Sequence, residues 1–149
     1  NLVTKIQNSS LFNQGFETVE YLPASILDMD FHEMEKPEVI DVLKFESGSM
    51  NRIGLIPEIL PRYRSTYFAH IFGGGYAAGY YVYIWAAVLD ADAFDAFKSS
   101  GDLYNKDLAS KFRKYCLAEC GSDEGMAQYK KFRGKDPSVE PLLKRRGLE

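Results

Sequence analysis

Three consecutive glycines, Gly73-Gly74-Gly75, interrupt the run YFAHIFGGGYAAGYYVYIW over residues 67–85. Glycine gives up more backbone freedom on folding than any other residue, so a triplet costs stability and argues for a loop rather than a helix interior. His70, one of two histidines in the chain, stands just before the triplet, and Tyr76, Tyr80, Tyr81 and Tyr83 follow it. If the residues after the glycines are helical, Tyr76, Tyr80 and Tyr83 fall at i, i+4 and i+7 and share one face. A flexible loop would then bring backbone to a ligand, beside a wall of phenolic hydroxyls. Such a wall can stabilise a developing oxyanion, or hold a peptide, without a formal charge.

Helical periodicity dominates the remainder, and no alternating strand pattern is found, which predicts an all-α fold. The spacing predicts a helix over 17–34 with Pro23 near its start, and a second over 37–45 with Pro37 in its first turn. Ser47-Gly48-Ser49 is expected to interrupt there, ahead of a proline-bounded piece over 57–61. Residues 62–72 form a candidate helix ending at the glycines. The next helix, over 76–98, is apolar almost all round in its first half and is expected to be central and buried. An amphipathic helix over 107–119 ends at Gly121, and shorter helices over 124–132 and 139–146 are separated by Gly134 and Pro137.

The 149 residues, 46% of them hydrophobic and 14% aromatic, suffice for one domain with a real core. The formal charge of −3 is spread along the chain. No basic stripe points to nucleic acid and no polybasic block to a membrane surface. The longest apolar run, over 76–89, is too short and too tyrosine-rich to span a bilayer. Asn1-Leu2-Val3-Thr4-Lys5 lacks the basic and apolar regions of a secretory signal, and the missing initiator methionine points to a processed or excised start, which leaves the compartment open. Cys116 and Cys120 would sit one helical turn apart on the same face, poor geometry for a disulfide, and read as buried structural thiols.

Two motif matches fail on their chemistry. His32-Glu33-Met34-Glu35-Lys36 begins like H-E-x-x-H but has Lys36 where the second imidazole of a helical zinc site must stand. Gly73-x-Gly75-x-x-Ala78 fits the loose dinucleotide fingerprint without the strand-helix-strand unit that fingerprint needs, and no Gly-Lys-Ser/Thr follows to make a phosphate loop. The tyrosines have a plainer reading, since aromatics at helical spacing usually fill a core. Against it, buried phenols need hydrogen-bond partners where phenylalanines would not, and these follow a costly glycine triplet.

Phe12-Asn13-Gln14-Gly15-Phe16, Val19-Glu20-Tyr21-Leu22 with Leu27-Asp28-Met29, the block from His70 through Gly73-Gly74-Gly75-Tyr76 to Tyr80-Tyr81, and Lys131-Phe132-Arg133-Gly134-Lys135-Asp136-Pro137 with Arg146-Gly147-Leu148 resemble the C-terminal part of the thimet oligopeptidase family of zinc metallopeptidases. The branch it is most similar to is that of bacterial dipeptidyl carboxypeptidase and oligopeptidase A. The resemblance covers nearly the whole chain. It implies that residues 1–149 are a single helical subdomain, a fragment of a larger, mainly helical peptidase whose zinc ligands lie upstream. Zinc would then belong to the full-length enzyme, with none bound by this fragment, which alone would cleave nothing. The resemblance also implies roles: Tyr83 and Tyr76 face the scissile carbonyl as catalytic donors, while His70, Gly73, Gly74, Gly75 and Tyr80 bind an oligopeptide substrate. It implies a cytoplasmic enzyme, with the periplasm as the alternative. Release of C-terminal dipeptides and internal cleavage both stay open. The competing readings are a non-catalytic helical module that grips a peptide or partner helix, and a structural domain with the tyrosines in its core. A piece cut from a larger peptidase is also expected to expose apolar surface and to self-associate.

Overall fold

Pro23 lies in the middle of a helix, not near its start. In the computed structural model, which describes residues 1–36 and 40–149, helix α2 runs Gln14–His32 and buries Pro23, Ala24, Leu27 and Asp28. Proline supplies no N–H to the preceding turn. One residue past the Val19 carbonyl that Pro23 cannot serve, the Glu20 carbonyl accepts from the Arg62 N–H at 2.9 Å, tying a later loop to α2. Ahead of α2 stands α1 (Leu2–Ser10), capped by the Asn1 side chain, a helix that the periodicity did not reveal.

After α2 come α3 (Val42–Arg52), a 3-10 turn (Ser65–Tyr67), α4 (Ala69–Phe72) and α5 (Val82–Ser99). Then follow α6 (Lys106–Phe112), which continues as a π-helical segment (Arg113–Ala118), α7 (Gly125–Arg133) and α8 (Glu140–Arg146). No strand occurs among the described residues, so the chain is all-α as expected. None of the described helices is long and apolar enough to cross a membrane. The helix expected over 37–45 begins at residues 37–39, which lie outside the described residues. The helix present there starts at Val42, where the Asp41 carboxylate accepts from the Leu43 and Lys44 N–H groups at 3.1 Å.

The break expected at Ser47-Gly48-Ser49 does not occur. Ser47 Oγ donates to the Leu43 carbonyl at 2.8 Å, and Ser49 Oγ donates to the Asp30 carboxylate, which Arg52 also pairs at 2.5 Å. Side chains that would compete with the helix are thus engaged without unwinding it.

The chain divides into two compact units, residues 1–84 and 85–149. In the first, Ala24, Phe68, Ile71 and Tyr80 form the core, with Tyr21, Phe31 and Tyr63 packed against them. Buried Glu46 of α3 accepts from the Ser65 N–H and hydroxyl at 2.8 Å each and pairs with Arg64, which fixes the approach to α4.

In the second unit Ala93, Ala96, Tyr129 and Phe132 form the core, with Phe97 and Phe112 against it. The fully buried Asp92 accepts from the Tyr129 hydroxyl at 2.6 Å and from Arg133 Nε at 2.9 Å. Gly134, in the left-handed region at φ 80°, ends α7. Cys116 is half-buried and Cys120 exposed, both free, so the expected burial of both thiols does not hold. Burial, followed by the neighbouring Cys120, pushes the Cys116 thiol up. Contrary to the expectation of a buried central helix, α5 leaves Val82, Tyr83, Trp85 and Phe94 exposed.

Candidate functional site

Residues 76–81 are turns rather than helix. The Gly79 N–H donates to the Tyr76 carbonyl at 2.9 Å, the Val82 N–H to the Gly79 carbonyl at 3.0 Å, and α5 starts only at Val82. Between them Ala78 takes a left-handed φ of 53°, a conformation that a Cβ disfavours. The cause lies fifty residues earlier. Asp28, fully buried on α2, accepts from the Ala78 N–H at 2.9 Å through one carboxylate oxygen and from the Tyr80 N–H at 2.8 Å through the other. The Tyr21 hydroxyl donates to the Tyr80 carbonyl at 2.5 Å, and His32 Nδ1 stands 2.9 Å from Asp28 Oδ1. A helix starting at Tyr76 would need the Tyr80 N–H and carbonyl for its own ladder, and both are taken by α2. The expected face of i, i+4 and i+7 is therefore absent.

The tyrosines meet all the same. The Tyr76 and Tyr83 rings stack with centroids 5.3 Å apart at an interplanar angle of 28°. They are 37% and 44% exposed, whereas Tyr80 is 3% exposed, so the three expected together divide into an accessible pair and a core residue. The Tyr80 ring stacks on Tyr21 at 5.1 Å and meets Phe68 edge-on at 4.9 Å. Burial raises its phenol to about 12. The Tyr83 phenol is raised as well, first by hydrogen bonding with the Tyr76 hydroxyl and then by desolvation.

His70, half-buried, is the hub of the rings. Its centroid lies 4.7 Å from Tyr63, 5.5 Å from Tyr80, 6.1 Å from Tyr76 and 6.5 Å from Tyr83. The glycine triplet spans the gap from His70 to Tyr76. Its first N–H, of Gly73, caps α4 on the Ala69 carbonyl at 2.9 Å, and the Tyr76 N–H closes the loop on the His70 carbonyl at 3.1 Å. So tight a closure constrains its middle: a Cβ at Gly74 would stand 2.9 Å from the His70 carbonyl oxygen. Gly75 turns through a φ of 79°.

Asp28 and Tyr21 did not stand out in the sequence as site residues, although both fall within stretches that carry the family resemblance. A usable signal exists, since Asp28 shares the helical stripe of Ala24, Leu27 and Phe31, where a carboxylate must find buried donors. No group of three or more His, Cys, Asp or Glu among the described residues is placed to hold a metal. His32 is turned to Asp28 and His70 to the rings. Among the described residues, therefore, neither histidine stands in a zinc-ligand cluster.

Residues 1–148 match Peptidase family M3. The chain belongs to that family. Among family M3 relatives, it is 44% identical over 149 residues to the dipeptidyl carboxypeptidase of Escherichia coli strain K12, covering 99% of this chain and 22% of that protein. It is 35% identical over 156 residues to the probable cytosolic oligopeptidase A of Arabidopsis thaliana, covering 99% of this chain and 22% of the relative. With oligopeptidase A of Haemophilus influenzae the identity is 33% over 150 residues, covering 98% and 21%. The chain thus spans about a fifth of the length of these relatives.

Proposed function

We propose that this family M3 chain is the C-terminal portion of a zinc-dependent peptidase that hydrolyses oligopeptides, and that Tyr83, with Tyr76 beside it, donates a hydrogen bond to the oxyanion formed at the scissile carbonyl. The observation that carries the reading is the stacked, solvent-accessible Tyr76–Tyr83 pair at the exit of the glycine loop. The metal would be held by residues outside this chain, which alone would be inactive. Release of C-terminal dipeptides is the form of activity favoured by the name of the E. coli relative. The name of the Arabidopsis relative favours a cytoplasmic setting.

The chemistry assigned to this chain needs no charge. As the carbonyl oxygen becomes an anion it accepts more strongly, so a donor fixed at that position stabilises the transition state more than the substrate. A phenol held above its ordinary pKa of about 10 keeps its proton at neutral pH and remains a donor. His70, with its ring centroid 6.1 Å from Tyr76 and 6.5 Å from Tyr83, serves the substrate side of the pair, and the backbone of Gly73, Gly74 and Gly75 pairs with the extended peptide. Tyr80, which the resemblance assigns to the substrate side, contributes by backing the pair from the core.

Tyr83→Phe in the complete peptidase tests this. The expected outcome is a loss of about 10²–10³ in kcat with KM little changed, because the bond strengthens only in the transition state. An unchanged kcat with a raised KM would replace catalysis by peptide binding alone.

A further inference from the structure

We propose that Asp28 is a positioning residue for catalysis, setting the Tyr76–Tyr83 pair through the main chain that joins them; this rests on the reading of those tyrosines as oxyanion donors. Its two acceptor bonds fall on Ala78 and Tyr80, alternate residues of the segment between the two tyrosines. A shift at either amide is passed to both rings, forward into the first turn of α5 and back to Tyr76. Packing holds this segment at Tyr80, its one buried side chain, and leaves residues 76–78 exposed. Its main chain is further held by three tethers from α2: the two oxygens of Asp28 and the Tyr21 hydroxyl on the Tyr80 carbonyl.

The left-handed Ala78 makes the tether necessary. A residue with a Cβ leaves φ 53° unless its surroundings hold it there, and the Ala78 N–H is held by Asp28 alone among its side-chain contacts. Both carboxylate oxygens must accept, so an amide is no substitute. In Asp28→Asn one of the two backbone N–H groups would face an NH₂, donor against donor. His32, four residues along α2, places Nδ1 2.7 Å from the Asp28 main-chain carbonyl and 2.9 Å from Oδ1, so the carboxylate has the imidazole beside it.

The test is a kinetic cycle in the complete peptidase with Asp28→Asn, Tyr83→Phe, the double variant, and Tyr21→Phe. Misplacing a catalytic group by about 1 Å can cost about 10²-fold, so Asp28→Asn should lose about that in kcat with KM changed less than about threefold. On the Tyr83→Phe background the same change should cost less than about threefold more, because its effect runs through the lost hydroxyl. Tyr21→Phe, which removes the third tether and keeps the ring stack, should lower kcat in the same direction but less. If Asp28→Asn does not fold, Tyr21→Phe decides, and a kcat within twofold of wild type overturns the proposal. Losses that multiply in the double variant overturn it too, by showing that Asp28 acts elsewhere. A Tyr83→Phe enzyme with full kcat overturns the tyrosine reading itself and this proposal with it, whereas a disabled Tyr83→Phe beside an unaffected Asp28→Asn overturns this proposal only.

Discussion

Tyr80 brings a phenol into the core of the first unit, and burial raises it to about 12 from the ordinary value near 10. Above pH 10 the unfolded chain releases this proton while the folded chain keeps it, so rising pH favours unfolding. The stability that depends on the neutral phenol is complete below pH 10 and is lost as pH climbs towards 12. Urea midpoints taken from pH 8 to 11.5 should therefore fall more steeply for the wild type than for Tyr80→Phe. Equal slopes would mean that Tyr80 does not ionise with unfolding. The glycine loop offers a second comparison between single residues. A Cβ at Gly74 meets the backbone of His70 at 2.9 and 3.0 Å, whereas one at Gly73 meets nothing closer than 3.7 Å. Backbone cannot swing aside as a side chain can, so Gly74→Ala should cost about 1–3 kcal/mol. Gly73→Ala should stay within about 0.5 kcal/mol, as surface substitutions usually do. Thermal unfolding of the two variants side by side distinguishes a loop shaped by close approach from one that is merely flexible.

Where an element obeys its local sequence, it was legible. α7 and α8 lie within a residue of their expected bounds, because Gly134 and Gly147 stop them in the left-handed region and their neighbours do not compete. α3 and α5 departed for a shared reason: distant carboxylates decide them. Asp30 takes up Ser49 and lets α3 continue through a serine-glycine run, and Asp28 takes the Ala78 and Tyr80 amides and delays α5 to Val82. At the site the residue types and their order were readable, but the divergence of Tyr80 from Tyr76 and Tyr83 was not, since it follows from that late start. A third carboxylate, Asp92, makes the same kind of link in the second unit between α5 and α7. Asp92→Ala would leave the largely buried Arg133 without its main partner, along with the Tyr129 hydroxyl. Breaking a buried pair from one side costs about 3–5 kcal/mol. Urea unfolding followed through Trp85, the sole tryptophan and a member of α5, should show that loss. An effect below 1 kcal/mol would place the stability of the unit in its aromatic core instead.

On the scale of the whole chain, the conspicuous fact is how much apolar surface meets solvent. α1 buries none of its residues, with Leu2 73% exposed, Val3 and Ile6 likewise open, and Phe12 just beyond it 79% exposed. α5 adds Val82, Trp85 and Phe94. Scattered exposed side chains are ordinary, but neighbours along one helix make a patch of the kind that marks an interaction surface. Full burial of a leucine or phenylalanine is worth about 1.5–3 kcal/mol, so covering several together exceeds the usual cost of association. The chain spans only about a fifth of its relatives, in which these side chains would have further protein to meet. Taken by itself in solution, the 149-residue chain should therefore self-associate, its sedimentation coefficient rising with concentration. Replacing Ile6 and Phe12 with serine should shift it towards monomer while leaving the helical signal intact, because neither is buried in the chain's own fold. A wild-type chain that sediments as a single monomeric species at high concentration would show that these side chains need no cover.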